Sequence, residues 1–300
     1  MKKMKISKKA KKNIDAISCY LAYKKNPQKY IPVRASIFFS KGNISHFNWG
    51  DDMNYYLVGL MSKKKYMHIP NARILKALPI DSYLIIGSTI TFYPLDHLTI
   101  WGSGIINQNE TDRITGKPNR ICAVRGPLTR DILMKKGYDC PEVYGDPILL
   151  LPRFYTPEKT EKKYRIGIVP HFTDKDLPVV RELAKEDTVI MDIQNYSRWQ
   201  DFVDQICSCR FILSSSLHGL ICSEAYGIPS AWVGFSDYKD GWDFKFRDFY
   251  MSVQKPDMNM QKIRKAEDAE NIILSGLNEW HPGRIDSDKL LNACPFWENN

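Results

Sequence analysis

The stretch FILSSSLHGLICSEAYGIP, residues 211–229, changes its hydrophobic pattern twice within nineteen residues. Its apolar start, 211–214, predicts a strand, and residues 217–226 predict a helix that ends at Gly227. Residues 229–235 return to a strand-like pattern. Two strands joined by a helix predict a βαβ unit with parallel strands. This stretch therefore places the chain in the α/β class.

The same alternation continues upstream as far as TPEKTEKK, residues 156–163, a polar stretch that is typical of a linker. Between this linker and residue 211, the predicted elements are strands at 165–169 and 188–193 and helices at 177–185 and 198–207. Before the linker, they are strands at 36–40, 83–87 and 98–102 and a helix at 127–136. We therefore expect two Rossmann-like domains with a cleft between them.

Three ranges follow from this division of the chain. They are a basic N-terminal segment at 1–30, an N-terminal Rossmann-like domain at 31–160, and a C-terminal Rossmann-like domain with a C-terminal extension at 161–300. In open α/β sheets, ligands bind outside the carboxyl ends of the strands. The residues that follow strands are therefore the first candidates for a functional site.

The positive charge of the chain is concentrated at its N-terminus. The whole sequence carries a net charge of +9, and residues 1–30 hold ten lysines against one acid, Asp15. The balanced remainder argues against a nucleic-acid-binding protein. The lysines lie beside Ile14, Ile17 and Leu21 at helical spacing, which favours contact with an anionic membrane surface. A solvated tail without a partner is the alternative.

Several classes of protein lose support from what the sequence lacks. No segment holds the ~18 consecutive apolar residues of a membrane span, and the N-terminus lacks a secretory signal pattern. The seven cysteines show no paired spacing, so we expect no disulfide framework and no metal site. The motifs of dinucleotide, P-loop, zinc-peptidase and serine-hydrolase sites are missing. We expect a cytoplasmic protein, held at the inner face of the membrane if the lysines bind there.

The strongest candidate site is the start of the predicted helix after strand 211–214. Ser215, Ser216 and Leu217 lie where the free N–H groups of a helix N-terminus bind a phosphate or a carboxylate. His218 follows in the first turn, where an imidazole can act as a general acid or base. A histidine packed between helix and sheet is the alternative, and both interpretations stay open at this point.

Cations from two other segments are candidates for the same anionic ligand. Arg125 ends an apolar pair before a Gly-Pro helix start, so its guanidinium would project into the cleft and grip a carboxylate or phosphate. Lys239 and Arg247 lie in an aromatic-rich stretch after strand 229–235. That stretch would line the cleft or form a small core under a loop.

Polar residues that follow other strands are candidates for binding a second ligand. Asn48 and Asp51 belong to the loop NWGDDMN, in which Gly50 would let the backbone approach a sugar. Helix capping alone would explain one of the acids. His171 follows the strand at 165–169 and is a weaker candidate.

Taken together, these segments resemble the polysaccharide pyruvyl transferase family. The matching segments are NWGD at 48–51, WGSG at 101–104, VRGPLT at 124–129, GDP at 145–147, VPH at 169–171, SSLHGLI at 215–221 and the stretch 239–247. Their order and spacing cover residues 36–255. Each motif is weak alone, but the ordered set is fairly specific.

The resemblance implies a GT-B-like fold, phosphoenolpyruvate as donor, and a sugar acceptor that is often lipid-linked. It also implies that Arg125, His218 and Lys239 do the donor chemistry, with no cofactor because phosphoenolpyruvate is a substrate. Many relatives carry Arg-Leu-His where this chain has Ser-Leu-His at 216–218. Arg247 or Lys239 would then supply the charge of the missing arginine.

We therefore expect a transferase that moves a pyruvyl group from phosphoenolpyruvate to a sugar hydroxyl of a surface-polysaccharide precursor, such as a capsule precursor, and closes a ketal. Asn48, Asp51 and His171 are expected on the acceptor side. A glycosyltransferase of the same architecture, holding a nucleotide-sugar diphosphate at 215–218, is one alternative. The other is a non-catalytic carbohydrate- or membrane-binding protein that relies on residues 1–30 and the aromatic stretch.

Overall fold

The computed structural model describes residues 8–40, 43–71, 74, 79–158, 161–238 and 240–298. In chain order, its first elements are α1 (Lys8–Lys25), β1 (Tyr30–Val33), β2 (Phe39–Ser40), β3 (Asn43–Ile44), α2 (Trp49–Met61), β4 (Lys65–His68), β5 (Ser82–Leu84), β6 (Leu98–Trp101), β7 (Arg120–Ala123) and α3 (Pro127–Lys135). Short 3₁₀ helices lie at Pro27–Lys29, Ile90–Phe92, Gln108–Arg113 and Pro147–Arg153.

A second set of elements follows the predicted linker. They are β8 (Tyr164–Val169), α4 (Pro178–Glu182), β9 (Thr188–Ile190), α5 (Trp199–Cys207), β10 (Cys209–Ser214), α6 (Leu217–Ala225), β11 (Ser230–Gly234), α7 (Phe244–Ser252), β12 (Gln261–Lys262), α8 (Ala266–Glu279) and α9 (Ser287–Asn292).

The strands form two parallel five-stranded sheets. The first has the order β4-β1-β5-β6-β7 and the second has the order β12-β11-β10-β8-β9. Strand β10, at the centre of the second sheet, is apolar from Phe211 to Leu213 and buried from Phe211 to its end, as expected where helices cover both faces of a parallel sheet. The α/β class is confirmed, and the two sheets are compatible with two Rossmann-like domains.

The predicted strand at 36–40 is displaced in the structure. The sheet strand is β1, six residues earlier, and only Phe39–Ser40 of the predicted stretch forms a strand, in an antiparallel hairpin with Asn43–Ile44. Val33 is fully buried and pairs with Tyr83 of β5, whereas Phe38 and Phe39 are exposed. The two phenylalanines of the predicted stretch therefore lie at the surface and outside the five-stranded sheet, whereas Ile37 before them is buried in the core.

The other predicted elements occur in the predicted order, most of them shorter. The helix predicted at 177–185 is the five-residue α4, and the strand predicted at 188–193 ends at Ile190. Helix α6 begins after its N-cap Ser216 and ends near Gly227, whose φ of +65° lies in the left-handed region that favours glycine. Part of the linker, 159–160, lies outside the described residues.

Helix α1 packs on the first half through one face only. Ala16 is fully buried and belongs to a small apolar cluster with Met67, Ile69 and Ile80, while Ile14 and Leu21 are 54% and 61% exposed. Residues 1–7 of the predicted basic segment lie outside the described residues. Within the described part of the chain, no helix combines the length and the apolarity needed to cross a bilayer.

Three of the contacts that join the two halves are made by side chains that are at most 1% exposed, those of Trp49, Trp101 and Arg125. The Trp49 indole of α2 stacks on Phe202 of α5 with ring centroids 4.4 Å apart, and its Nε1 donates to the carbonyl of Trp199. Trp101 of β6 donates to the carbonyl of Leu290 in α9, so the end of the chain returns to the first sheet. The third contact is an ion pair at the candidate site.

Candidate functional site

The carboxyl ends of strands from both sheets bring polar side chains to one place. Arg125 follows β7 of the first sheet, His171 follows β8 of the second, and His218 lies in the first turn of α6, after β10. The start of α2 lies against the second half, because the Trp49 N–H donates to the carbonyl of Ile193 at 2.8 Å. Groups from both halves therefore lie close together, since the charges of Arg125 and His171 both contribute to the lowered pKa of His218.

His218 is held by the loop before α2. Its Nδ1 lies 3.1 Å from Oδ1 of Asn48, and the same oxygen accepts the N–H of Gly50 as the N-cap of α2. Because that oxygen is the acceptor, Nδ1 is the atom that donates. The proton of the neutral imidazole thus lies on Nδ1, and Nε2 keeps its lone pair.

Only glycine at position 50 allows this approach. A Cβ added at Gly50 would lie 1.9 Å from Cγ of His218, far inside van der Waals contact. The first turn of α2 therefore touches the face of the imidazole with bare backbone. This contact fixes the plane of the ring as well as its hydrogen bond.

Burial lowers the pKa of His218 to about 3, with smaller contributions from the charges of Lys245, Arg125 and His171. His218 is 8% exposed. Its imidazole is therefore neutral at physiological pH and can accept a proton at Nε2. A bound anion would oppose the burial effect and raise this pKa.

Arg125 is almost fully buried, at 1% exposure, and forms the third contact between the halves. Its Nε donates to Oδ2 of Asp248 at 3.0 Å, its Nη2 donates to the carbonyl of Ile105 at 2.7 Å, and its Nη1 donates to the Ser88 hydroxyl. Asp248 belongs to α7 and also accepts the N–H and hydroxyl of Thr129. Arg125 is thus a buried, paired cation, and each of its three nitrogens donates a hydrogen bond within the protein.

Lys245, at the start of α7, is a site cation that the sequence analysis did not single out. Its Nζ lies 4.1 Å from the ring centroid of Trp242 and 5.2 Å from that of Phe246. Burial lowers its pKa to about 7, and Arg125 lowers it further while Asp51 opposes the shift. One signal in the sequence could have identified this lysine. An aromatic residue lies three positions before it and another lies one position after it, and aromatic rings of this kind can bind an ammonium group.

Two carboxyl groups complete the cleft. Burial raises the pKa of Asp51 to about 7, reinforced by Asp52 and opposed by Lys245. Burial likewise raises the pKa of Asp146 to about 7, opposed by the N–H of Ile148 and by Arg125. Asp146 caps the 3₁₀ helix Pro147–Arg153 by accepting that N–H at 3.0 Å. Both acids are partly protonated near neutral pH.

His171 lies beside the same group of charges. Its backbone N–H donates to the Ser215 hydroxyl at 2.8 Å, and its Nδ1 lies 2.7 Å from the Thr173 hydroxyl. Burial lowers the pKa of His171 to about 4, and the charge of Lys245 lowers it further. Like His218, it is a neutral base at physiological pH.

The remaining predicted site residues have different placements. Ser215, Ser216 and Leu217 are buried, and the Ser215 hydroxyl is engaged by Asp174 and His171. Arg247 forms an ion pair with Asp243 at 2.9 Å on the partly exposed side of α7, away from the contacts described above. Lys239 lies outside the described residues.

Comparison with known proteins agrees with this picture. Residues 4–237, more than two thirds of the chain, match the family model of polysaccharide pyruvyl transferase. The chain is also similar to "Uncharacterized protein L143" from Acanthamoeba polyphaga mimivirus, with 39% identity over 138 residues, which cover 43% of this chain and 46% of that protein. The chain thus spans about half the length of the curated relative that it matches. By the extent of the family match, the chain belongs to the polysaccharide pyruvyl transferase family.

Proposed function

We propose that the chain transfers a pyruvyl group from phosphoenolpyruvate to a sugar hydroxyl of a surface-polysaccharide precursor and closes the product as a ketal. One observation carries the proposal. Burial and then the charges of two nearby cations, Lys245 of α7 and Arg125 after β7, lower the pKa of His218, whose Nδ1 is held by Asn48 and whose Nε2 is unprotonated. A ligand with a carboxylate and a phosphate requires closely spaced cations and N–H donors of this kind.

The proposed reaction uses one nitrogen for two proton transfers. Binding of the anionic donor raises the pKa of His218, which then carries a proton on Nε2. That proton goes to the CH₂ carbon of phosphoenolpyruvate, and the adjacent carbon becomes oxocarbenium-like. A sugar hydroxyl attacks this carbon while Nε2 takes up the hydroxyl proton.

The second half of the reaction expels phosphate. The C–O bond to phosphate breaks, and a second hydroxyl of the sugar attacks the same carbon to close the ketal. Of the two protons that the sugar loses, one becomes the third hydrogen of the methyl group and the other leaves on inorganic phosphate. Atoms and charges then balance without an oxidant, a reductant or a metal ion.

Each of the other site residues has a proposed role. Arg125 and Lys245 hold the donor's charges, with Lys239 and Arg247 as further predicted donor cations. Ser215, Ser216 and Leu217 present the N-terminus of α6 to the donor. On the acceptor side, Asn48, Asp51 and His171 are proposed to bind the sugar; the partly protonated Asp51 can donate or accept a hydrogen bond.

The test is incubation of the protein with phosphoenolpyruvate and lipid-linked glycan extracted from its source cells, followed by mass spectrometry of the glycan. We expect the added mass of a pyruvate ketal and, in D₂O, one deuterium in its methyl group. His218→Ala should lower the rate of phosphate release by about 10²–10⁴-fold, whereas the exposed His281→Ala should not. Transfer of a sugar from a nucleotide-sugar donor instead would establish the glycosyltransferase alternative.

We also propose that the protein works in the cytoplasm at the inner face of the membrane, where a lipid-linked acceptor would be found. The exposed Ile14 and Leu21 lie on a lysine-rich helix, the arrangement that anionic lipid surfaces attract. The fraction of protein that sediments with phosphatidylglycerol vesicles should be lower for the double variant Ile14→Glu/Leu21→Glu than for the wild type. Equal sedimentation of the two proteins would rule out membrane contact through this face.

A further inference from the structure

Asp174 is a buried carboxylate that the proposed reaction does not use. It lies in the turn after β8 and is 1% exposed. Its oxygens accept hydrogen bonds from the hydroxyls of Ser215, Ser236 and Tyr238, each at 2.9 Å, and from Thr173 at 3.3 Å. In the part of the chain that the structure describes, its hydrogen-bond partners are thus hydroxyl groups.

These hydroxyls come from separate loops of the second sheet. Thr173 lies in the same turn as Asp174, Ser215 follows β10, and Ser236 and Tyr238 follow β11. The three strands β11, β10 and β8 are neighbours in the sheet. One carboxylate therefore ties together the loops at three adjacent carboxyl ends, which are the loops that border the cleft.

Each tied loop leads directly to a group of the candidate site. The Ser215 hydroxyl donates to Asp174 and accepts the N–H of His171, and it lies three residues before His218. On the other side, the ring of Tyr238 is nearly parallel to that of Trp242, at 13° and 6.5 Å between centroids, and the Trp242 ring faces Lys245.

The charge of Asp174 suits it to this arrangement better than a neutral group would. An ionised carboxylate is an acceptor only, with room for about four hydrogen bonds. It therefore orients all four hydroxyl protons toward itself, and hydrogen bonds to a charged acceptor are stronger than those between neutral groups. A neutral amide at this place would offer N–H donors to hydroxyls that already donate.

We infer that Asp174 is a positioning residue, whose carboxylate fixes the loops after β8, β10 and β11 so that His171, His218 and Lys245 face the donor together. This inference rests on the proposed function for the identity of the donor. It assigns Asp174 no contact with the substrate. Its effect reaches the reaction through Ser215 on one side and Tyr238 on the other.

The test compares Asp174→Asn with a matched control. Asp174→Asn keeps the size of the side chain and removes its charge. Glu224→Gln, which breaks a buried ion pair with Lys255 at the other end of α6, is the control for a lost buried carboxylate. Phosphoenolpyruvate binding is measured by calorimetry at a temperature at which circular dichroism shows both variants folded.

We expect Asp174→Asn to raise the Kd for phosphoenolpyruvate about tenfold or more, and Ser236→Ala and Tyr238→Phe to raise it less. Glu224→Gln should leave the Kd unchanged even if it lowers the melting temperature. In hydrogen exchange, amides of 171–173 and 236–238 should lose protection in Asp174→Asn, while those of α8 should not. An unchanged Kd, or an equal rise in both carboxylate variants, would overturn the inference.

The two proposals fail in different ways. If the wild-type protein does not bind phosphoenolpyruvate, the proposed donor is wrong, and the hydrogen exchange comparison alone decides the role of Asp174. If the wild type binds and Asp174→Asn exchanges its loop amides as the wild type does, then the donor stands and the positioning role is refuted.

Discussion

At the scale of single residues, burial has shifted five ionisable groups of the candidate site toward their neutral forms. It lowers the pKa values of His218, His171 and Lys245 and raises those of Asp51 and Asp146. These five groups therefore carry less charge than their residue types suggest. An anionic donor reverses this balance, because its charges favour the protonated forms of the three bases.

Lys245 is expected to contribute more to donor binding than its single charge would in water, because it is buried beside aromatic rings. Lys245→Met keeps the apolar stem and removes the ammonium group. We expect the Kd for phosphoenolpyruvate to rise about 10–100-fold, which corresponds to the loss of one or two charge-assisted hydrogen bonds. Calorimetric titration measures this, and the exposed Lys265→Met is the control. An equal Kd in the two variants would exclude Lys245 from the donor site.

Donor binding should also take up protons. At pH 8, His218 with a pKa of about 3 and Lys245 with a pKa of about 7 are both mainly neutral, and the bound anion raises both values. The affinity for phosphoenolpyruvate should therefore fall as pH rises from 7 to 9, by up to about tenfold per unit for each proton taken up.

The measurement is binding enthalpy in buffers of different ionisation enthalpy, such as phosphate and Tris at the same pH. The slope of the binding enthalpy against the ionisation enthalpy of the buffer gives the number of protons taken up on binding, which we expect to be about one at pH 8. The substitution Lys245→Met should reduce this number of protons. Equal binding enthalpies in the two buffers would contradict the proposed protonation of the cleft.

Sequence patterns could predict part of the site for definite reasons. His218 and Arg125 stand at strand-to-helix turns, where the topology of parallel sheets collects side chains, and the charge of Arg125 contributes to the lowered pKa of His218. Lys245 was missed because its place depends on how α7 folds back onto the first half through Asp248. That contact joins residues 123 positions apart, and no local pattern marks it.

At the scale of elements, the start of α2 does most to shape the site. Asn48 caps the helix and holds His218 with the same oxygen, and Gly50 brings the backbone against the imidazole. A capping residue was predicted in this loop, but it was expected to be Asp51 or Asp52. The asparagine takes that place, and Asp51 lies near Lys245, whose charge opposes the rise of the Asp51 pKa.

Substitution by alanine should have different effects at two glycines of α2. At Gly50 an added Cβ would overlap the His218 ring, whereas at Gly59 it would meet nothing within 4 Å. We expect Gly50→Ala to displace the imidazole and lower the rate of phosphate release about 10²-fold. Gly59→Ala should leave the rate unchanged and stabilise the helix by about 0.5–1 kcal/mol.

Steady-state phosphate release and chemical denaturation of both variants check this pair of effects. A Gly50→Ala protein that is folded and fully active would show that the ring is free to move away from α2. The pair shares one helix and one type of substitution. A difference between the two variants is therefore due to the position of the added methyl group.

The elements that the sequence predicted well are those with a strong pattern of their own. Helix α5 was predicted within a residue, because its apolar side chains recur at helical spacing, and β10 is a buried apolar run. Strands β4 and β12 lie at sheet edges, are short, and carry exposed residues. They become strands through pairing with a neighbour, so their own sequences do not predict them.

At the scale of the whole molecule, the chain after the linker serves both halves. The stretch 161–300 supplies the second sheet, but α7 pairs with Arg125 and the residues around α9 cover the first sheet. The boundary predicted at 160/161 follows from composition, which reports where the chain is polar. It carries no information about which surface a later segment will cover.

The end of the chain should therefore stabilise elements that precede it by almost two hundred residues. The Phe296 ring, 5% exposed, packs edge-on against Trp101 of β6 and Tyr83 of β5, with centroids 5.6 and 5.4 Å away. We expect Phe296→Ala to lower the free energy of unfolding by about 3–5 kcal/mol, through lost burial and a cavity beside Trp101. Leu277→Ala, at a residue 48% exposed on α8, should cost far less.

Urea denaturation followed by tryptophan fluorescence and by circular dichroism distinguishes two outcomes for Phe296→Ala. If the halves unfold together, one transition moves to lower urea in both signals with an unchanged m-value, since the surface exposed on unfolding is the same. If the first half unfolds alone, the transition seen by fluorescence separates from the transition seen by circular dichroism, and the m-value of each transition falls. The contacts of Trp49, Arg125 and Trp101 across the molecule favour the first outcome, because each must break before either sheet can open.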